Sequence, residues 1–145
     1  MLKGHKEALT ALSFGLADLV TASKDATARV FSIHDGACRL VLEGHDDDIT
    51  SVVAAGRHIF TGSLDRTARI WDVETGICRF VLSDHVDSVL CVSPSPYGDF
   101  VLTGSSDNTV RIYSTQTGRS CFVLRGHRDS VSEVTFSRDG TFIVS

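Results

Sequence analysis

The chain repeats itself: one short pattern returns about every forty residues, so any fold it adopts must be built from copies of a single unit. Gly4-His5 returns as Gly44-His45, Asp84-His85 and Gly126-His127, which sets successive histidines 40, 40 and 42 residues apart. Thr21-Ala22-Ser23-Lys24-Asp25 returns as Thr61-Gly62-Ser63-Leu64-Asp65 and Thr103-Gly104-Ser105-Ser106-Asp107. Two residues further on, Thr27-Ala28-Arg29-Val30-Phe31 returns as Thr67-Ala68-Arg69-Ile70-Trp71 and Thr109-Val110-Arg111-Ile112-Tyr113. Gly36, Gly76 and Gly118 precede the next apolar run. The third unit's extra length falls in Pro94-Ser95-Pro96-Tyr97-Gly98-Asp99, a turn-rich segment that tolerates insertion.

Each unit contains four short stretches rich in β-branched and aromatic residues, bounded by turn residues. In the second unit these predict strands over about 49–54, 57–63, 68–73 and 78–82. Ala68 and Ile70 alternate with Arg69 and Trp71, the period of two that puts successive side chains on opposite faces of a sheet. Leu64-Asp65-Arg66 and Glu74-Thr75-Gly76 supply the turns. The expected fold is all-β: four-stranded antiparallel sheets, in units of about 4–43, 44–83 and 84–125 with an incomplete unit at 126–145. One such sheet cannot cover both its own faces, so neighbouring units must pack against each other.

The histidine, the Ser-x-Asp turn and the aromatic-led strand at this pitch resemble the WD-repeat β-propeller family, and the resemblance covers the whole chain. The Trp-Asp dipeptide occurs as Trp71-Asp72 and is replaced by Phe31-Ser32 and Tyr113-Ser114. The resemblance implies propeller blades, which close into rings of about four to eight. Met1-Leu2-Lys3 aligns with Val41-Leu42-Glu43, the tail of an outer strand, and Ser145 aligns with Thr103. The expectation is therefore about three and a half blades from a longer propeller protein. A ring closed by two copies of the chain is the rival reading.

His, Ser and Asp recur in register as His5/Ser23/Asp25, His45/Ser63/Asp65 and His85/Ser105/Asp107, which on its face is a nucleophile with its base and orienter. A catalytic site needs one set in one cleft; a set in every repeat points to a structural role. The resemblance implies a hydrogen-bonded tetrad in each blade, complete only where Trp71 joins His45, Ser63 and Asp65. Phe31 cannot donate a hydrogen bond, which removes about 1 kcal/mol from the first network. Tyr113 has a hydroxyl that needs a different partner.

A net charge of −4 leaves no excess of Lys and Arg for polyphosphate, so direct nucleic-acid contact is not expected. Apolar runs such as Leu40-Val41-Leu42 and Phe80-Val81-Leu82 are far too short to span a bilayer. Met1-Leu2-Lys3-Gly4-His5 shows no apolar leader, and the expected location is intracellular, cytoplasmic or nuclear. Cys38, Cys78, Cys91 and Cys121 stand singly and read as buried free thiols, and neither a metal nor a cofactor is expected. Arg29, Arg69 and Arg111 are expected to pack between blades or pair with carboxylates. Asp46-Asp47-Asp48 reads as a solvated turn, and His34 and His58 read as surface histidines.

The resemblance implies a non-catalytic scaffold that binds proteins or peptides on its propeller faces. Carried over position by position, the partner-binding residues are Ala8, Thr10 and Lys24, then Asp48, Thr50 and Leu64, then Ser88, Leu90 and Ser106, with Ser130 and Ser132 from the last unit. Leu64 and Leu90 are expected to be exposed anchors. The alternative is a scaffold subunit of an RNA-associated complex, such as one of ribosome biogenesis or splicing, reached through protein contacts. No unique polar cluster breaks the repeat as an enzyme would require, and a small-molecule ligand is not expected.

Overall fold

The computed structural model describes residues 3–145, all of them in strands, turns and loops. Three four-stranded antiparallel sheets follow one another along the chain. The first holds β1 (Leu9–Phe14), β2 (Asp18–Ser23), β3 (Ala28–Ser32) and β4 (Cys38–Leu42). The second holds β5 (Ile49–Ala55), β6 (His58–Ser63), β7 (Ala68–Asp72) and β8 (Cys78–Leu82). The third holds β9 (Val89–Pro94), β10 (Phe100–Ser105), β11 (Thr109–Ser114) and β12 (Ser120–Arg125). A two-stranded sheet of β13 (Thr135–Phe136) and β14 (Ile143–Val144) begins a fourth unit. The expected strand tail at Met1-Leu2 lies outside the described residues.

In every sheet the strands pair in chain order, each with its sequence neighbour, as the blades of a propeller do. The innermost strands β1, β5 and β9 pack against one another in succession. The loops entering each sheet and the turns between second and third strands share one side, the top face. The turns between first and second and between third and fourth strands share the other, the bottom face.

The core lies between sheets, so alternation within a strand becomes a choice of neighbouring blade. Trp71 is buried with Val20, Val30 and Leu42 of the first blade, whereas Ala68 and Ile70 of the same strand are buried with Val89, Val92 and Tyr113 of the third. Full burial of each such aliphatic side chain is worth about 1.5–3 kcal/mol. Hydroxyls add registration: Thr10 Oγ1 donates to the Ile49 carbonyl, and Thr50 Oγ1 to the carbonyls of Gly62 at 3.0 Å and Val89 at 2.7 Å. Where Leu90 replaces the threonine, the next junction has a backbone bond instead, Val131 N–H to the Ser105 carbonyl at 3.0 Å.

Burial of all four thiols, expected from the sequence, holds only for Cys91. Cys38 and Cys121 are exposed and Cys78 is half-buried, because all three lie at the start of outer strands, on the rim of the blade. Ile49 and Val52 are covered by the first blade, but the matching Leu9 and Leu12 are 57% and 59% exposed, since no described sheet packs over that face.

Candidate functional site

Each blade builds the same network beneath its top face. In the second, His45 Nδ1 lies 2.7 Å from the Asp65 carboxylate and Nε2 lies 2.7 Å from Thr61 Oγ1. The Trp71 indole, which can only donate, gives its N–H to the same Thr61 oxygen at 2.9 Å. Thr61 therefore spends its own hydrogen on His45 Nε2, and Nδ1 carries the proton given to Asp65. Ser63 stands outside this chain: its hydroxyl donates to the Asp47 carbonyl at 3.0 Å and accepts the Asp65 N–H at 3.1 Å.

The tetrad expected from the sequence thus needs a correction. The bridging hydroxyl belongs to Thr21, Thr61 and Thr103, and Ser23, Ser63 and Ser105 instead brace the turn that presents the aspartate. Residues two apart on a strand share a face, so the serine was a near miss. The threonine recurs in sequence as faithfully as the serine, which was the signal available. Thr27, Thr67 and Thr109 complete each network by donating to the turn carboxylate at 2.6, 2.7 and 2.6 Å.

The first blade keeps His5–Asp25 at 3.0 Å and His5–Thr21 at 2.9 Å, and Phe31 contributes no donor. In the third, His85 bonds Asp107 and Thr103, each at 2.7 Å, while the buried Tyr113 hydroxyl makes no hydrogen bond. Burial pushes the Tyr113 pKa up, and the nearby Asp84 carboxylate adds to it. In the fourth unit His127 Nε2 lies 2.7 Å from Ser145 Oγ, the position aligned with Thr103.

The carboxylates are held as anions. Burial by itself raises the pKa of Asp65, but hydrogen bonds from His45 and Thr67 outweigh it and keep the group well below the usual range. Asp25 is lowered in the same way by Thr27, the Lys6 N–H and His5, again against burial. Asp107 is lowered to about 2 by Thr109 and His85 against the same penalty. Burial lowers the pKa of His85, partly opposed by Asp107. These histidines and aspartates are occupied with one another in every blade, and among the described residues no group of three or more His, Cys, Asp and Glu side chains is placed to hold a metal ion.

Above the networks lie the positions carried over for partner binding. Backbone bonds join them in pairs: Lys24 N–H to the Ala8 carbonyl at 3.0 Å, Leu64 to Asp48 at 3.0 Å, and Ser106 to Ser88 at 2.9 Å. Contacts between blades link the pairs, with Lys24 Nζ 3.8 Å from Asp48 Oδ2 and Ser88 Oγ 3.4 Å from the Leu64 carbonyl. The structure brings these six residues into one strip across three blades. Ser130 and Ser132 are exposed in the loop before β13. The Thr10 and Thr50 hydroxyls are spent on inter-blade bonds. Leu64 and Leu90 are half-buried and not the exposed anchors expected, because adjacent blades crowd together towards the axis.

Arg29, Arg69 and Arg111 pair with no carboxylate among the described residues, and their Nε atoms are buried without hydrogen-bond partners. They pack instead: the Arg69 guanidinium lies 5.8 Å from the Trp71 ring centre and covers Gly44. Gly44 has φ of 151°, and a Cβ there would fall 2.6 Å from Arg69 Nη1, so the Gly-His dipeptide makes room for the arginine. In the acidic turn, Asp48 faces Lys24, Asp47 accepts the Asp48 N–H at 2.8 Å, and Asp46 is exposed. His34 is exposed, whereas His58 is partly buried and accepts from Arg79 at 3.1 Å.

Comparison with curated proteins gives no match. The family model for the WD domain, G-beta repeat, matches residues 36–72, 76–114 and 118–145, well over half of the chain. Repeats of this family generally serve as protein-interaction scaffolds and are typically non-catalytic. Repeat pitch, sheet topology, the buried networks and the family match agree, and the chain belongs to the WD-repeat family.

Proposed function

We propose that this chain is a non-catalytic scaffold that holds partner proteins or peptides on its top face, within an intracellular complex of the cytoplasm or nucleus. The observation that carries the reading is the strip formed by Ala8, Lys24, Asp48, Leu64, Ser88 and Ser106, which runs unbroken over three blades. It offers charged, hydroxyl and partly apolar groups on a backbone fixed by hydrogen bonds, which spares a partner the cost of ordering the site. Asp46, Asp47 and Asp87 are exposed on the loops of this face, so a protein surface fits it better than a phosphate backbone.

The test is affinity capture from cell extract with the chain and with the double variant Asp48→Arg/Leu64→Arg, followed by crosslinking to locate the contacts. Proteins retained by the chain, crosslinked to the top-face loops and released by the double variant support the reading, provided circular dichroism shows the sheets intact. Retention of the same proteins by both forms refutes it.

A further inference from the structure

The bottom face has a different relief. Between β5 and β6 the chain turns in two residues, Gly56 and Arg57, whereas the first blade uses three (15–17) and the third uses five (95–99). The short turn leaves a floor between two raised tips. Leu16 is 99% exposed on one tip, and Tyr97 is 77% exposed on the other. Two clefts flank the floor: one of about 710 Å³ towards the first blade, lined by Phe14, Ala54 and Val73, and one of about 270 Å³ towards the third. Both are lined by Ala55, Gly56 and Arg57, so they meet at the arginine.

One ion pair, Arg39 with Asp18, is formed at the edge of this recess, and its centre holds an arginine without one. Arg39 closes on both oxygens of Asp18 at 2.8 Å, and Arg79 donates to His58 at 3.1 Å. Arg57 makes no ion pair within 4.0 Å among the described residues. Glu74 lines the larger cleft without coming within ion-pair distance of Arg57, and no carboxylate lines the smaller cleft, where Arg57 stands beside His58. A guanidinium set between apolar walls is matched by one carboxylate through paired N–H···O bonds, whereas a phosphate backbone calls for a row of cations uninterrupted by carboxylates, and this face intersperses Asp18, Asp72, Glu74 and Asp99 among its arginines.

We propose that this recess receives an extended segment of a partner protein, with an acidic side chain on Arg57 and apolar side chains on either side against Leu16 and Tyr97. The recess lies on the face opposite the top-face strip and stands or falls independently of it. Apolar anchors around one desolvated ion pair are the arrangement in which a few residues carry most of an interface's affinity.

Two pools of fluorescein-labelled heptapeptides test this by fluorescence polarisation: one with Leu, Glu and Leu at the second, fourth and sixth positions and mixed residues elsewhere, the other with Gln for Glu. The chain is expected to bind the Glu pool at least about fivefold more tightly. Arg57→Glu should abolish that preference and favour a third pool carrying Lys, and Leu16→Ser/Tyr97→Ser should weaken binding about tenfold. All three substituted residues are exposed turn positions, and Trp71 emission reports whether each variant stays folded. Asp48→Arg/Leu64→Arg should leave the preference unchanged, which separates failure here from failure of the top-face reading. Equal binding of the Glu and Gln pools, or a Glu preference that survives Arg57→Glu, overturns the proposal.

Discussion

Replacing Thr61 by valine removes one oxygen from the middle of the second blade and nothing else of consequence, since the two side chains have the same branched shape. That oxygen serves two buried bonds, to His45 Nε2 at 2.7 Å and from Trp71 Nε1 at 2.9 Å, and Thr61 is fully buried. The valine methyl takes the place of the hydroxyl, so an indole N–H and an imidazole nitrogen are left without partners. Each orphaned buried group costs about 1–3 kcal/mol, which puts the loss for the two at about 2–6 kcal/mol. Thr21→Val in the first blade is the internal control. Phe31 has no N–H to orphan and His5 is less buried, so the same substitution breaks one bond beside water and should cost about 1 kcal/mol. Urea unfolding followed by Trp71 fluorescence and by circular dichroism measures both. Equal losses in the two variants, or a loss below about 0.5 kcal/mol for Thr61→Val, would refute a bridging role for the Thr61 hydroxyl.

The depressed carboxylates make stability depend on acid. Asp107 has a folded pKa of about 2 against a usual 3.8, so the unfolded chain binds more protons between those values. Its contribution is present above pH 3.8 and drains away as pH falls towards 2; Asp107→Asn should lower stability at neutral pH and flatten the decline below about pH 5, as read by urea midpoints across the range. The Cys91 thiol, pushed up to about 11 by burial, should resist iodoacetamide at pH 8 until urea is added, while exposed Cys38 and Cys121 are alkylated in the native state, as peptide mass spectrometry would show.

Strand positions were legible because turn residues bracket each apolar run: β5 to β8 fall within about one residue of the ranges expected from sequence. The networks were legible as a recurring set, but their internal wiring was not. Thr61 and Ser63 project from the same side of β6, and only the placement of the entering loop decides which of them meets the imidazole. Leu64, Leu90 and the thiols were misjudged for a related reason. Their exposure is set by the adjacent blade or by distance from the axis, and neither is written in the repeat that contains them. The bottom recess had a sequence signal in the unequal turn lengths, yet its meaning depends on the turns standing side by side.

Each His–Asp contact joins residues only 20, 20 and 22 positions apart, and each strand bonds only to the strand next to it in the chain. A segment emerging during synthesis therefore has every partner for its own blade within reach as soon as about forty residues are available. Closing such small loops costs little entropy, and each finished sheet then presents a ready apolar wall to the next. Each blade can thus complete its own sheet before the next is made, and assembly can spread from any finished blade to its neighbour.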